Sequence, residues 1–147
     1  MGSSLQARMA GPTCTFCAIV AGEMPAHRVV DDESCVAFLD ARPLFPGHVL
    51  VVPREHRETM IDLTPDELVA IFEMCRRLCG AAERGLGADG TFVAMNNRVS
   101  QSVAHAHVHV VPRRKGDGLR GFFWPRHKYE SDEQAAEFAA KLRAGMR

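Results

Sequence analysis

Three histidines alternate with small apolar residues in His105-Ala-His107-Val-His109-Val-Val111-Pro112-Arg113. Side chains alternate faces along a strand, so this spacing puts all three imidazoles on one face, roughly 7 Å apart from neighbour to neighbour. Ala106, Val108 and Val110 fall on the other face, toward a core. A buried row of imidazoles is costly unless each ring is paired, so the row is expected to line a cleft. Three chemistries fit it. The rings can be satisfied core residues. They can hold zinc, for which alternating imidazoles on a strand are good ligands. Or one ring can attack phosphorus, since imidazole is nucleophilic near neutral pH and a neighbouring imidazolium steadies phosphate oxygens. The polar run Asn96-Asn97-Arg98-Val99-Ser100-Gln101-Ser102-Val103 directly upstream favours the third chemistry. Its amides and hydroxyls suit phosphate oxygens and a leaving group, whereas a metal would want Asp, Glu or Cys.

The elements that position this row can be read from pattern. Cys14 to Val20 is a short apolar stretch of one or two helical turns, ended by Gly22 and Pro25. Arg28-Val29-Val30 and Cys35-Val36-Ala37-Phe38-Leu39 are β-rich around the acidic turn Asp31-Asp32-Glu33, and predict a hairpin. A loop with two prolines and a glycine runs from Asp40 to Gly47, and His48-Val-Leu-Val-Val52 is a third strand that Pro53 ends. Thr64-Pro65-Asp66-Glu67 is a capping box with proline at the first helical position. Leu68, Ile71, Phe72, Cys75, Leu78, Cys79 and Ala82 then form one apolar stripe, which Gly85 and Gly87 stop. Thr91 to Met95 predicts a fourth strand and Ala104 to Val111 a fifth. Ser131-Asp-Glu-Gln134 caps a last helix carrying Phe138 and Leu142. The order of elements predicts an α+β fold with an antiparallel sheet backed by helices.

Composition excludes several classes. The chain has 147 residues with 18 basic and 18 acidic side chains, so net charge is zero. That balance argues against non-specific nucleic-acid binding and polybasic membrane attachment. No apolar run is long enough to span a bilayer, and the N-terminus lacks a secretory apolar region. Residues 1–10 are expected to be a disordered tail or an expression remnant, with a single domain over 11–147. Five cysteines, an odd number without a signal peptide, point to a reducing, cytoplasmic setting rather than a disulfide framework. Cys14-Thr-Phe-Cys17 is by itself compatible with a redox pair or two ordinary thiols. Basic and aromatic residues interleave from Arg113 to Tyr129. This stretch reads first as a solvated loop with an aromatic clasp, and second as a cleft wall through Arg113 or Trp124.

Gln101-Ser102-Val103-Ala104-His105-Ala-His107-Val-His109-Val-Val111 resembles the signature of the histidine-triad (HIT) family. Pro46-Gly47-His48-Val-Leu-Val-Val52-Pro53 resembles its second hallmark. Phe38-Leu39-Asp40 with Arg42-Pro43 is similar to its ribose-holding segment, and Cys14 to Pro25 to its usual opening. The resemblance implies the HIT-like fold, a five-stranded antiparallel sheet with a long helix and a C-terminal helix packed on it. It implies a nucleotide hydrolase or transferase acting at the α-phosphate of adenine nucleotide conjugates: phosphoramidates, dinucleoside polyphosphates or adenylyl sulfate. His107 would be the nucleophile, forming a nucleotidyl-histidine that water cleaves to AMP. His109 would contact the α-phosphate and His105 would orient the cluster. Gln101 and Ser102 would bind phosphate oxygens or the leaving group, with Asn96 or Asn97 on the phosphate side. Asp40 would hold the ribose, Phe16, Ile19, Phe38 and Leu39 the base, and His48 would support the row. No catalytic metal is required, and a homodimer is implied. The family's loop ahead of the glutamine is often glycine-rich, whereas Asn96-Asn97-Arg98-Val99-Ser100 is shorter and has no glycine.

Against this resemblance, Cys14, Cys17, His56 and His105 make up a closed two-Cys, two-His set for structural zinc, as in similar bacterial proteins. His48 is the alternative fourth ligand. The partner implied is a purine nucleotide conjugate, with neither nucleic acid nor membrane. Two rivals come from other classes: a nucleotide-binding sensor without turnover, and a metalloenzyme ligated by His105, His107 and His109.

Overall fold

A computed structural model describes residues 14–120 and 126–146. The expected tail 1–10 and the aromatic residues Phe122, Phe123 and Trp124 lie outside the described residues. The first unit runs to Asp117 and the second from Gly118, and each is described by itself.

Five strands form one sheet in the order β1-β2-β3-β5-β4, with every neighbouring pair antiparallel. They are β1 (Arg28–Asp31), β2 (Cys35–Leu39), β3 (Val49–Pro53), β4 (Gly90–Ala94) and β5 (Val108–Arg113). The β1–β2 hairpin turns where Asp32 accepts from the backbone N–H groups of Ser34 (3.0 Å) and Cys35 (3.1 Å). Such an Asx turn is why an acidic residue suits this position. β2 and β3 read as continuous apolar runs because both faces of the sheet are covered.

One face packs on α2 (Pro65–Leu86). Cys35, Ala37, Val49, Val51, Val108 and Val110 meet Ile71, Met74, Cys75 and Leu78 there. The capping box forms as expected: Thr64 Oγ1 accepts from Glu67 N (3.1 Å), and the Glu67 carboxylate accepts from Thr64 N (2.9 Å). Gly87, left-handed at φ 66°, ends the helix, and Gly85 lies inside it. Phe72, expected in the apolar stripe, is instead 41% exposed. The opposite face carries α1 (Thr15–Val20), whose Phe16 and Ile19 pack on Val36, Phe38, Leu50 and Val52.

The fifth strand begins later than its pattern implies, at Val108 rather than Ala104. The β3–β5 ladder pairs Val49, Leu50 and Val51 with Val110, His109 and Val108. Continued, it would bring Pro53 opposite Ala106, but proline has no N–H to donate. The Pro53 carbonyl binds the His105 ring (2.9 Å), and Ala106 N donates instead to Arg57 O (2.6 Å). The chain nonetheless keeps its alternation: Ala106 joins the α2 face while His105 and His107 pack beside Phe16 on the other.

In the second unit, α3 (Asp132–Gly145) starts at Ser131, whose hydroxyl accepts from Gln134 N (3.1 Å), as its capping pattern predicts. Among the described residues no helix is long and apolar enough to cross a membrane.

Candidate active site and thiol–imidazole cluster

The three histidines of the row come together with His48, His56 and Phe16 on the α1 face. Phe16 sits over the middle of the row, its ring edge-on to His107 (5.0 Å between centroids), His105 (6.0 Å) and Phe38 (5.4 Å). His107 and His109 lie 5.1 Å apart, as do His109 and His48. Two of the three rings are thus not the open cleft lining expected from the pattern, since His105 is 0% and His107 3% exposed, whereas His109 is half-buried. The cost of burying imidazoles is met by pairing, and no described buried side-chain N or O lacks a hydrogen-bond partner.

The partners fix the tautomers. A carbonyl only accepts, so each ring nitrogen facing one carries the hydrogen. His107 Nδ1 donates to His105 O (2.8 Å), which leaves the His107 Nε2 lone pair free. His105 Nε2 donates to Pro53 O, which leaves its Nδ1 as the lone-pair atom. His48 Nδ1 accepts from Leu44 N (3.0 Å), so its Nε2 donates to His109 Nδ1 (2.9 Å). His109 in turn presents Nε2–H. A nucleophilic nitrogen on His107 thus neighbours a ring donor on His109. Burial, reinforced by nearby imidazoles, pushes His109 down to about 4, and burial also lowers His48. Both rings are neutral near pH 7, as this arrangement needs.

Gly47 sets His48 in place. Its φ is 95°, and a Cβ there would lie 2.5 Å from the Leu86 side chain. Only glycine satisfies both constraints. Asp40 is half-buried, its Oδ2 3.7 Å from His48 Nε2 and its Oδ1 accepting from Arg42 N (2.8 Å). Phe16, Ile19 and Phe38 are buried together, whereas Leu39 is exposed at the rim.

The upstream loop is braced rather than open. Gln101 donates to Glu58 O (2.6 Å) and accepts from Arg98 N (2.8 Å). Asn96 donates to Ser100 O (3.1 Å), and Asn97 accepts from Met60 N (2.8 Å). Ser102 is exposed. Arg98 (φ 68°) and Ser100 (φ 60°) adopt the left-handed conformation that glycine would take without strain.

A second cluster closes on His105. Its Nδ1 lies 3.5 Å from both Cys14 Sγ and Cys17 Sγ, and His56 Nδ1 lies 3.2 Å from Cys17 Sγ. All four ligand atoms fall within 4.8 Å of one another. A zinc tetrahedron with usual bond lengths has S···N edges of about 3.6 Å, so this donor set fits the ion. Burial first, then Cys14, pushes the Cys17 thiol up to about 12. Without a cation to replace its proton that thiol stays protonated. His48 belongs to the other group, with Asp40 and His109, and is not the fourth member of this one. Cys35 and Cys75 are core thiols, pushed by burial up to about 11 and about 12.

Pattern reasoning missed the backbone groups that set the tautomers: Leu44 N, Pro53 O and His105 O. Every residue type but proline supplies both kinds of group, so side-chain identity carried almost no signal for them.

Comparison with known proteins places this geometry. The HIT domain family profile matches residues 21–116. An uncharacterized HIT-like protein of Mycobacterium tuberculosis is 42% identical over 108 residues, 72% of this chain and 75% of that one. An adenosine 5'-monophosphoramidase of Schizosaccharomyces pombe is 30% identical, over 89% of this chain and 99% of its own. An adenylylsulfatase of Arabidopsis thaliana is 29% identical, over 88% and 68%. Among solved structures, a HIT family protein from Bacillus anthracis superposes with TM-score 0.83 at 29% identity, covering 91% and 97%. A zinc-bound histidine triad protein from Mycobacterium smegmatis superposes with TM-score 0.70 at 38% identity, covering 89% and 96%. With the five-stranded sheet and the paired histidine row, these matches show that the chain belongs to the HIT domain family.

Proposed function

We propose that this protein transfers or hydrolyses the adenylyl group of adenine nucleotide conjugates through a covalent nucleotidyl-histidine, releasing AMP. The observation that carries the reading is the His107 Nδ1–His105 O hydrogen bond, which holds the His107 Nε2 lone pair available. That lone pair attacks the α-phosphorus and forms an N–P bond. The bond to the leaving group breaks, and the leaving group departs with its electron pair and takes up a proton. Water then attacks phosphorus and gives up a proton to solvent, matching the one the leaving group took, the N–P bond breaks, and His107 regains its lone pair as AMP leaves. His109 Nε2–H donates to an α-phosphate oxygen as charge builds. Asp40 accepts from the ribose hydroxyls, and Phe16, Ile19, Phe38 and Leu39 hold the base. Gln101, Ser102 and Asn96 serve the phosphate and leaving-group side.

Cys14, Cys17, His56 and His105 hold zinc in this reading, supported by their mutual distances and by the zinc-bound relative. Zinc bound there replaces the thiol protons and ties α1 to His105. No step of the reaction passes through it. One domain over 11–147, a homodimer and a cytoplasmic setting complete the proposal.

The test measures AMP release from an adenosine phosphoramidate, diadenosine tri- and tetraphosphate and adenylyl sulfate. The wild-type protein releases AMP from at least one of them, and His107→Ala loses more than about a thousandfold of that rate while still binding AMP. Equal turnover by the variant overturns the nucleophile. Tight AMP binding without any turnover by the wild type makes the protein a nucleotide sensor.

A further inference from the structure

A cavity of about 470 Å³ opens between β1 and the outer flank of α2, away from the histidine row. Val30, Met74 and Leu78 give it an apolar floor, and the exposed Val29, Ala81, Arg76, Arg77 and Arg84 line it further out. Its volume falls in the range of small-molecule sites. The charges facing it are unequal. Glu73 pairs with Arg76 (2.5 Å) and Asp32 faces Arg77. Arg84 has no ion pair or hydrogen bond to a side chain among the described residues.

Gly80 supplies an independent observation. It lies in the interior of α2 at the cavity, where glycine is the poorest ordinary helix former. The Arg84 guanidinium lies against it: a Cβ at position 80 would come 2.9 Å and 3.0 Å from its two terminal nitrogens. Arg84 thus folds back about 6 Å along the helix axis, toward Arg77. An alanine would favour the helix and push that guanidinium away. The glycine's helical disadvantage goes with a placed guanidinium, not with a tight packing contact in the core.

We propose that this cavity binds a small organic phosphate, its apolar body on the Val30–Leu78 floor and its phosphate between Arg77 and Arg84. Guanidinium groups recognise phosphate oxygens through paired N–H donors, and Arg77 and Arg84, seven residues apart, share the face of α2 that lines this cavity. The site is separate from the histidine row, so it stands whether or not the adenylyl-transfer reading does.

Amide resonances of the full chain titrated with 1-naphthyl phosphate test this, with 1-naphthol and inorganic phosphate in parallel. Saturable shifts are expected at Val29, Val30 and residues 77–84, with the two fragments at least tenfold weaker. Gly80→Ala is expected to raise the melting temperature and yet weaken binding at least tenfold, and Arg84→Ala to weaken it without that rise. Opposed changes in stability and binding are what a purely structural glycine does not produce. Shifts confined to Phe16, His48, His107 and His109 overturn the proposal. So does wild-type affinity in Gly80→Ala, or naphthol binding as tightly as its phosphate.

Discussion

At the scale of single residues, hydrogen-bond direction decides more than residue type. His107 and His109 are both imidazoles, yet a carbonyl makes one a lone-pair donor and His48 makes the other an N–H donor. His48→Leu removes the group that sets the His109 tautomer. It is expected to lower kcat for AMP release about 10- to 100-fold, the usual effect of losing an orienting partner, with little change in KM. His48→Gln keeps an N–H donor and recovers part of the loss. Equal kcat in His48→Leu and wild type would show that His109 needs no such orientation. The same rings set a pH dependence. His109 titrates near 4 in the folded chain against 6.5 unfolded, and His48 is also lowered. The unfolded chain therefore takes up protons first as pH falls. Stability from keeping these rings neutral is complete above 6.5 and is lost between 6.5 and about 4. Urea midpoints at pH 7.5, 6.5 and 5.8 are expected to fall in that order, above the range where carboxylates mainly titrate. A flat profile would mean the rings are not held neutral. Ser100 adds a prediction of opposite sign. Its φ of 60° is strained for any residue with a Cβ, so Ser100→Gly is expected to stabilise by about 0.5–1 kcal/mol in urea unfolding. A loss of stability would place the strain elsewhere.

At the scale of elements, legibility followed from whether a local rule was sufficient. The start of α2 was legible because Thr64, Pro65 and Glu67 each satisfy a terminal backbone group within one turn. The hairpin was legible for the same reason at Asp32. The start of β5 was not, because it depends on what β3 offers across the ladder, and Pro53 offers no N–H there. Phe72 fits the stripe by spacing, yet it is exposed because the sheet covers a narrower arc of α2. The Cys14, Cys17, His56 and His105 group was legible as a donor set, and its closeness comes from the fold. Two members of that group stand at α1, a helix of six residues, too short to persist alone. Cys14 caps it, Cys17 lies inside it, and Phe16 between them covers His107. Cys17→Ser is therefore expected to speed hydrogen exchange at residues 15–20 at least tenfold while α2 amides stay protected. AMP affinity falls alongside, because Phe16 is no longer held. Unchanged exchange over α1 would show that packing of Phe16 and Ile19 suffices without the cluster.

At the scale of the whole molecule, the sheet order leaves β4 as an edge next to β5, the strand that carries His109. An exposed edge presents unpaired backbone groups, and natural proteins cover it or pair it. Val93 on β4 is 39% exposed, and on α2, which packs against β4, Val69 is 69% and Phe72 41% exposed. Val69 and Phe72 are three residues apart and share a helix face. Large apolar side chains on this strand, an edge among the described residues, and on the helix beside it fit a second copy of the same chain, which a closed two-fold contact would supply. Sedimentation at micromolar concentration is expected to give twice the monomer mass. The double variant Val93→Lys/Phe72→Glu puts charge on both elements and is expected to sediment as a monomer with unchanged circular dichroism. A wild-type monomer, or a variant that still dimerises, would move the contact to another surface. β5 pairs directly with β4, so the variant also tests whether pairing steadies the row: if it does, AMP release falls with the dimer.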